Sequence, residues 1–418
     1  CNPCGEQLLP DNGDCNLGHT NLAVMVDRPF EPDTQFNFAK LERAARIMVR
    51  LLDNVLDITQ WPTEEQAEEA RLKRRIGLGF TGLASALQQL GIPYGSPEAV
   101  EFTRKVAKTQ AFAAYQESIK LSGQRGAFPK FDVAHFLKAP FIQKMPKLHD
   151  SIRNTGIRNG VLLSIAPTGT TSLVVGNVSS GIEPVFAHRY RRKVRGGNGE
   201  METEYSVYDY GYLKYCEHAG LDPEFASSAP HRILPAGFIT ADQLTVEQHL
   251  QMAAAAQEWV DSAISKTINC PTSMPFDEFR KVYARANELG MKGCTTYRPD
   301  PRSGRGAVLD AAPALEDIPV VVARDETVTI IFGESTEEDD HADHAGKDRV
   351  VAARGAQPDS SSRAGRTSEP RATGADHNEV KDAKRAPLPT GQVLASGQDK
   401  IPMQDVVEGR RYRIKWPT

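Results

Sequence analysis

Large apolar side chains almost disappear between residues 340 and 400 of this chain. No aromatic residue occurs there, and such a stretch buries too little surface to offset the entropy lost on ordering. We therefore expect a folded part over about residues 1–300, a disordered low-complexity linker over 301–400, and a possible hairpin at 318–333. The large apolar residues of the 340–400 segment are Val350, Val351, Val380, Leu388, Val393 and Leu394.

The last residues of the chain regain an ordered pattern. Apolar and basic side chains alternate there, which is typical of a β-strand. One strand is not a domain, so we expect residues 401–418 to be the start of a truncated C-terminal domain. The alternating residues are Arg411, Tyr412, Arg413, Ile414, Lys415 and Trp416.

Before residue 300, helical patterns alternate with short apolar runs. Between residues 41 and 56 the apolar side chains recur at helical spacing, with basic residues on the other faces. The runs Val161–Ala166 and Leu173–Val175 are too short for helices and suit buried strands. This alternation predicts an α/β domain. Further helices are expected from Thr63, at Leu83–Leu90, at Pro97–Leu121, at Val246–Ile264 and at Pro275–Leu289.

Composition excludes several classes of protein. The 50 Lys+Arg nearly balance the 54 Asp+Glu, so the net charge of -4 gives no general attraction to nucleic acid or anionic lipid. No run approaches the roughly 18 uninterrupted apolar residues of a membrane span. Six cysteines in 418 residues are too few for a disulfide-built secreted scaffold. These features favour a cytoplasmic protein with neither a membrane nor a nucleic-acid partner.

The densest chemistry lies at the start of the chain, where Cys-Asn-Pro-Cys-Gly-Glu-Gln at residues 1–7 precedes Cys15. One interpretation is that these cysteines only pack. A second is a zinc-binding module on Cys1, Cys4, Cys15 and His19, whose spacing resembles that of zinc ligands. The ten histidines show no His-Glu-x-x-His or similar pattern, so no catalytic metal is predicted.

A third interpretation is redox or radical catalysis. Asn2, Cys4 and Glu6 alternate along the chain, so an extended or looped backbone can point their side chains to one side. A sulfur atom, a proton acceptor and a hydrogen-bonding amide would then surround one substrate. The residues alone leave the three interpretations open.

Asn-Pro-Cys-Gly-Glu-Gln at residues 2–7, followed by Cys-Asn-Leu-Gly at 15–18, resembles the active-site finger loop of ribonucleotide reductases, in the form typical of the adenosylcobalamin-dependent class. The resemblance covers about residues 1–300 and resumes weakly at Val406–Lys415. The implied fold is the second half of a ten-stranded α/β barrel that carries this loop at its start. The other matching segments are 74–79, 90–94, 166–172, 179–186, 265–269 and 293–298.

The resemblance implies a role for each residue of the loop. Cys4 would carry the thiyl radical that removes the 3′-hydrogen of a ribonucleotide, and Glu6 would accept the proton of the 3′-hydroxyl. Asn2 would hydrogen-bond the substrate. Cys15 would be one of the two cysteines that supply electrons and become a disulfide, with its partner in upstream sequence. Adenosylcobalamin is the implied cofactor, and the implied product is a 2′-deoxyribonucleotide for DNA synthesis.

A second segment matches the substrate-phosphate loop of the family. Its glycine lets the backbone approach a phosphate, successive N–H groups can form an anion-binding concavity, and the hydroxyls add donors. Without the resemblance, such a turn is more often an ordinary loop or an N-cap. The residues are Pro167, Thr168, Gly169, Thr170, Thr171 and Ser172.

The family has an upstream half that this sequence does not show, so we expect the polypeptide to be inactive alone. Its expected partners are a ribonucleotide, the missing N-terminal half and a thioredoxin-like reductant. A second copy in a homodimer is a further candidate partner. The start at Cys1 also raises the hypothesis of an intein junction, because Cys is a usual first residue after such an insertion. The alternative within the family is the large subunit of a reductase whose radical comes from a separate metal-bearing subunit.

Overall fold

The computed structural model describes residues 1–194, 203–228, 230–298, 320–324 and 327–331. The chain divides into two units, Cys1–Val194 with Thr203–Leu315 and Arg195–Glu202 with Glu316–Thr418. The expected linker over 301–400 lies outside the described residues except for two short strands, and the segment 401–418 lies wholly outside them.

Capping residues mark the starts of the two longest helices. Asn37 Oδ1 accepts the N–H of Lys40, and Ser96 Oγ accepts that of Ala99. The described helices are α1 (Phe38–Ile58), α2 (Glu64–Lys73), α3 (Leu83–Leu90), α4 (Pro97–Arg125), α5 (Val133–Lys138), α6 (Pro140–Gln143), α7 (His149–Thr155), α8 (Gly169–Val174), α9 (Tyr210–Ala219), α10 (Pro223–Ser228), α11 (Pro230–Ile233), α12 (Val246–Gln257) and α13 (Phe276–Glu288), with short 3-10 turns at Leu22–Met25, Pro146–Leu148 and Ala241–Gln243.

The strands are short and mostly pair two by two. They are β1 (Asn16–Asn21), β2 (Val26–Asp27), β3 (Gln35–Phe36), β4 (Ile76–Thr81), β5 (Arg189–Val194), β6 (Thr203–Tyr208), β7 (Thr267–Asn269), β8 (Thr295–Tyr297), β9 (Val320–Arg324) and β10 (Thr327–Ile331). The pairs β2–β3 and β5–β6 are antiparallel. In the second unit β9 and β10, which lie within 318–333, are also antiparallel.

A parallel array forms the centre of the first unit. β1 pairs with β4, β4 is bridged to the extended segment 162–165 through Leu78 and Leu163, and Ile165 of that segment is bridged to Ile264. The chain continues from Ile264 into β7, which pairs with β8. All these pairings are parallel, so the α/β class is confirmed. Among the described residues β1 and β8 are not paired with each other, and the array is not closed into a barrel.

Helices pack on this array. α1 contacts both β1 and α4, and α4 also contacts α12. The face of α1 that carries Leu41, Ala45, Val49 and Leu52 is buried, as its helical spacing predicts. Within the described residues, no helix is long and apolar enough to cross a membrane.

Glycine lets β4 lie close to the next strand of the array. Every residue of β4 is buried. A Cβ atom on Gly79 would stand 2.3 Å from the carbonyl oxygen of Ser164, closer than atoms can approach. A side chain at position 79 would therefore force the 162–165 segment away from β4.

The helix predicted over Val246–Ile264 is wrong beyond Gln257. α12 ends at Gln257, and by Ile264 the chain is bridged in parallel to Ile165. Asp261 explains the change, because its carboxylate accepts the N–H groups of Leu162 and Leu163 at 2.9 and 2.8 Å. These tertiary hydrogen bonds override local helix propensity and turn the segment into a strand of the array.

The strand predicted at Leu173–Val175 is also wrong. Leu173 and Val174 belong to α8, and Val174 is 82% exposed. The prediction assumes that a short apolar run lies in the core, and apolar composition alone does not ensure that. Here the run follows a helix start at Gly169 and faces outward.

Candidate active site

Residues 1–7, called the finger loop below, fold back on themselves. The N–H of Asn2 donates to the carbonyl of Gln7 at 3.1 Å, and Asn2 Oδ1 accepts the N–H of Gln7 at 3.0 Å. Gly5, at φ +78°, closes the turn by donating to the carbonyl of Asn2. The backbone that carries Asn2, Cys4 and Glu6 is therefore looped rather than extended.

Glu6 fixes this loop against the parallel array. Its carbonyl oxygen accepts three hydrogen bonds, from Ala263 N, Ser164 Oγ and Ser262 Oγ, each at 3.0 Å. Glu6 is only 2% exposed, and its Oε2 accepts no hydrogen bond from any residue that the structure describes. A buried carboxylate oxygen without a partner costs free energy. Such an atom is suited to a hydrogen bond or a proton from a bound molecule.

The two cysteines of the predicted site have different surroundings. Cys4, at the tip of the finger loop, is exposed, whereas Cys15 is half-buried just before β1; both thiols are free. Cys15 Sγ lies 3.9 Å from the carbonyl oxygen of Asn16. Burial, with the negative charges of Asp14 and Asp261, raises the pKa of the Cys15 thiol well above its ordinary value. Cys15 is therefore a protonated thiol at neutral pH.

The geometry does not support the zinc module. His19 is occupied, because its Nε2 accepts the N–H of Ala166 at 2.9 Å, and burial lowers its pKa to about 4. Cys1 and Cys4 are exposed. Among the described residues, no three His, Cys, Asp or Glu side chains are grouped so that they could hold a metal ion.

The predicted phosphate loop follows directly from the strand segment that holds the finger loop. Pro167 is half-buried, Thr168 is buried in a left-handed conformation at φ +53°, and Gly169, Thr170 and Thr171 form the exposed first turn of α8. N–H groups of a first helical turn have no partner within the helix. The turn therefore presents exposed donors at the carboxyl end of a parallel strand, where α/β proteins commonly bind ligands.

A neighbouring turn, Ser179–Glu183, supports this loop. The N–H of Gly181 donates to Thr168 Oγ1 at 2.8 Å, and Thr168 Oγ1 also lies 2.9 Å from Thr81 Oγ1. Ser180 Oγ lies 3.0 Å from Ser172 Oγ. Hydrogen bonds from this turn and from β4 thus hold Thr168 and Ser172 in their buried positions.

Lys266 and Glu183 lie in segments that match the family, but sequence reasoning does not predict that they pair. Lys266 has a fully buried side chain and is ion-paired with Glu183. Lysine is normally a surface residue, and 83 positions separate the two partners. Glu183 and Thr267 line a cavity of about 300 Å³, whose wall also includes Phe186, Tyr190 and Tyr297.

The chain is an α/β domain built around an internal cysteine loop. Its helices pack on parallel strands, and the thiol-bearing loop is hydrogen-bonded to those strands. A sequence profile described as "Ribonucleotide reductase, barrel domain" matches residues 1–297. The chain belongs to this family.

Relatives of known activity agree with this assignment. The chain is 36% identical over 322 residues to a vitamin B12-dependent ribonucleoside-diphosphate reductase of Mycobacterium tuberculosis, an alignment that covers 75% of this chain and 43% of the relative. For the enzyme of the same name from Thermoplasma acidophilum the identity is 32% over 307 residues, or 71% of this chain and 37% of the relative. A ribonucleoside-diphosphate reductase subunit alpha of Chlamydia muridarum is 29% identical over 335 residues, 71% of this chain and 31% of that subunit. The chain therefore spans less than half the length of these relatives.

Proposed function

We propose that this chain is the catalytic part of an enzyme that converts ribonucleotides to 2′-deoxyribonucleotides by thiyl-radical chemistry, built as the second half of a ten-stranded barrel. The observation that carries the proposal is the unpartnered, buried Oε2 of Glu6, two residues from an exposed free thiol at Cys4. Family membership over residues 1–297 supports the same reaction.

Cys4 and Glu6 share the first chemical step. With its sulfur as a radical, Cys4 takes the hydrogen atom from C3′ of the ribose and becomes a thiol. The Glu6 carboxylate accepts the proton of the 3′-hydroxyl, and a thiol of the reducing pair would give the proton with which the 2′-hydroxyl departs as water. Asn2, whose Oδ1 is used inside the finger loop, offers its amide Nδ2 to the substrate.

Reduction needs two electrons, which we assign to Cys15 and a second cysteine from the rest of the full-length protein. The two thiols become one disulfide, and the returned hydrogen atom at C3′ restores the radical on Cys4. The raised pKa of Cys15 keeps its proton in place, so this residue holds both a proton and an electron for the reaction. A thioredoxin-like protein would then reduce the disulfide.

The phosphate loop would bind the other end of the substrate. The exposed first turn of α8, with Gly169, Thr170 and Thr171, offers N–H and hydroxyl donors to phosphate oxygens. Ser164, which holds Glu6, lies three residues before Pro167, the first residue of this loop. One strand end therefore serves both the proposed base and the phosphate.

The described residues fit adenosylcobalamin as the radical source. Cys4 is exposed, so a bulky cofactor can reach its sulfur. When bound, adenosylcobalamin supplies an organic radical that takes a hydrogen atom from a thiol. Cys4 is the residue of this chain that would face it. The B12-dependent relatives support this choice.

The function is tested on the full-length protein that carries this chain. With CDP or CTP as substrate and dithiothreitol as reductant, we expect deoxyribonucleotide only when adenosylcobalamin is added. Product formed without cobalamin, but with a metal-bearing partner subunit, would instead assign the chain to the two-subunit reductases, in line with its similarity to the Chlamydia alpha subunit. No product under either condition would refute the proposed function.

The setting of the enzyme is also part of the proposal. All six cysteines are free, which suits a reducing cytoplasm. A second copy of the chain is a further candidate partner, and analytical ultracentrifugation of the full-length protein tests for a homodimer.

A further inference from the structure

Lys266 is a buried lysine with two hydrogen-bond acceptors. Its ammonium donates to Glu183 Oε2 and to the carbonyl oxygen of Thr267. Glu183 Oε1 accepts the N–H of Thr267 at 2.7 Å. Both carboxylate oxygens of Glu183 are therefore bound to Lys266 and Thr267, at the start of β7.

Stability alone is a weak reason for such a pair. Removing two charges from water is costly, and apolar side chains of similar volume often stabilise a fold equally well. Burial lowers the pKa of Lys266, while the nearby carboxylate of Glu183 acts in the opposite direction. What the pair does provide is a directional link between two segments that are far apart in sequence.

Each end of this link leads to a part of the proposed site. On the Lys266 side, Ala263 N donates to the carbonyl oxygen of Glu6 at 3.0 Å. On the Glu183 side, Gly181 N donates to Thr168 Oγ1 at 2.8 Å. The ion pair therefore connects the strand that holds the base with the turn that holds the phosphate loop.

We propose that Lys266 and Glu183 are positioning residues that set the distance between Glu6 and the phosphate loop. Neither residue touches the substrate in this account, which rests on the proposed function. With the pair intact, a nucleotide held by its phosphates presents its ribose to Glu6 and Cys4. Without the pair, the nucleotide still binds but its ribose is misplaced.

The test compares two double variants of the full-length protein. Lys266→Met with Glu183→Gln neutralises the pair at similar volume, and the glutamine can still accept the N–H of Thr267. Because a misplacement of about 1 Å costs roughly 100-fold in rate, we expect kcat with CDP or CTP to fall about 100-fold, with KM changed less than tenfold. The control, Arg50→Met with Glu117→Gln, removes an ion pair between α1 and α4. We expect it to leave kcat unchanged at a temperature where both variants are folded.

Hydrogen exchange of the chain itself gives a second readout. In the Lys266/Glu183 variant we expect faster amide exchange at Gly181 and over residues 168–172, and no such change in the control. An unchanged kcat in the Lys266/Glu183 variant, or an equal fall in the control, would overturn the proposal. If the unaltered enzyme makes no deoxyribonucleotide, the proposed function fails, and unchanged exchange would then refute the positioning role separately.

Discussion

At the scale of single residues, the Glu6 carboxylate is one of several buried polar groups of the described residues that have an atom without a partner, and it lies two residues from the exposed Cys4. Protein folds normally satisfy buried polar atoms, yet Glu6 Oε2 is without a partner among the described residues while its own backbone carbonyl receives three hydrogen bonds. The loop is thus held by backbone contacts, and the side chain is left available. A side-chain carboxylate that does not hold the loop in place suits a general base better than a structural acid.

We predict that Glu6→Gln lowers kcat by about 100- to 10,000-fold, because an amide of the same shape cannot accept the 3′-hydroxyl proton. Nucleotide binding is retained, since the phosphate loop is unchanged. The measurement is kcat and Kd for CDP in the full-length protein, with the exposed Glu42→Gln on α1 as the control. Wild-type turnover by Glu6→Gln would exclude Glu6 as the base.

Sequence reasoning reached the finger loop but not its support. Asn2, Cys4 and Glu6 lie within five consecutive positions, so their spacing alone indicates one site. The pair Lys266–Glu183 depends on a contact between distant segments, and a lysine in a sequence predicts a solvent-exposed side chain. Local patterns contain no information about such burial.

At the scale of elements, α9 begins at a buried acid. Asp209 is 3% exposed, and its carboxylate accepts the N–H of Tyr212 at 3.0 Å as the N-cap of this helix. Burial raises the pKa of Asp209 from 3.8 to about 7. Between these values the folded chain holds a proton that the unfolded chain has lost, so the contribution of Asp209 to stability falls as pH rises.

We predict that Asp209→Asn removes this pH dependence. Asparagine caps helices as well as aspartate does, so α9 keeps its start. Between pH 4 and pH 7 the unfolding free energy of the wild type should fall relative to that of the variant by up to about 4 kcal/mol. Urea unfolding of the chain at several pH values measures this difference. A difference that is constant, or that moves in the opposite direction, would show that Asp209 is not the titrating group.

The ends of helices show where the local sequence no longer determines secondary structure. The alanine run Ala253–Ala256 favours helix, and no Gly or Pro follows before Ile264. The sequence pattern therefore predicts a longer helix than α12. The end at Gln257 is set by Asp261, whose carboxylate binds backbone N–H groups almost a hundred positions away. The helical spacing of apolar side chains predicts α1 over residues 41–56, and the helix begins three residues earlier, at Phe38, where Asn37 caps it.

At the scale of the whole molecule, the centre of the first unit is an array of parallel strands that is not closed among the described residues, with the finger loop held against it. The match to the reductase barrel domain covers residues 1–297, and the relatives are more than twice as long as the aligned region. In the proposed function, the rest of the full-length protein supplies the second cysteine that pairs with Cys15 and the remaining strands of the barrel. Whether residues 301–400 form a linker stays a prediction.

The most direct test of the central claim is the fate of the 3′-hydrogen in the full-length protein. With CDP deuterated at C3′, and adenosylcobalamin and dithiothreitol present, we expect deoxyribonucleotide to form more slowly than from ordinary CDP. Cys4→Ser should form none, while Cys1→Ser, an equally exposed cysteine three positions away, should keep wild-type activity. Product formation by Cys4→Ser at the wild-type rate would contradict the assignment of the radical to Cys4.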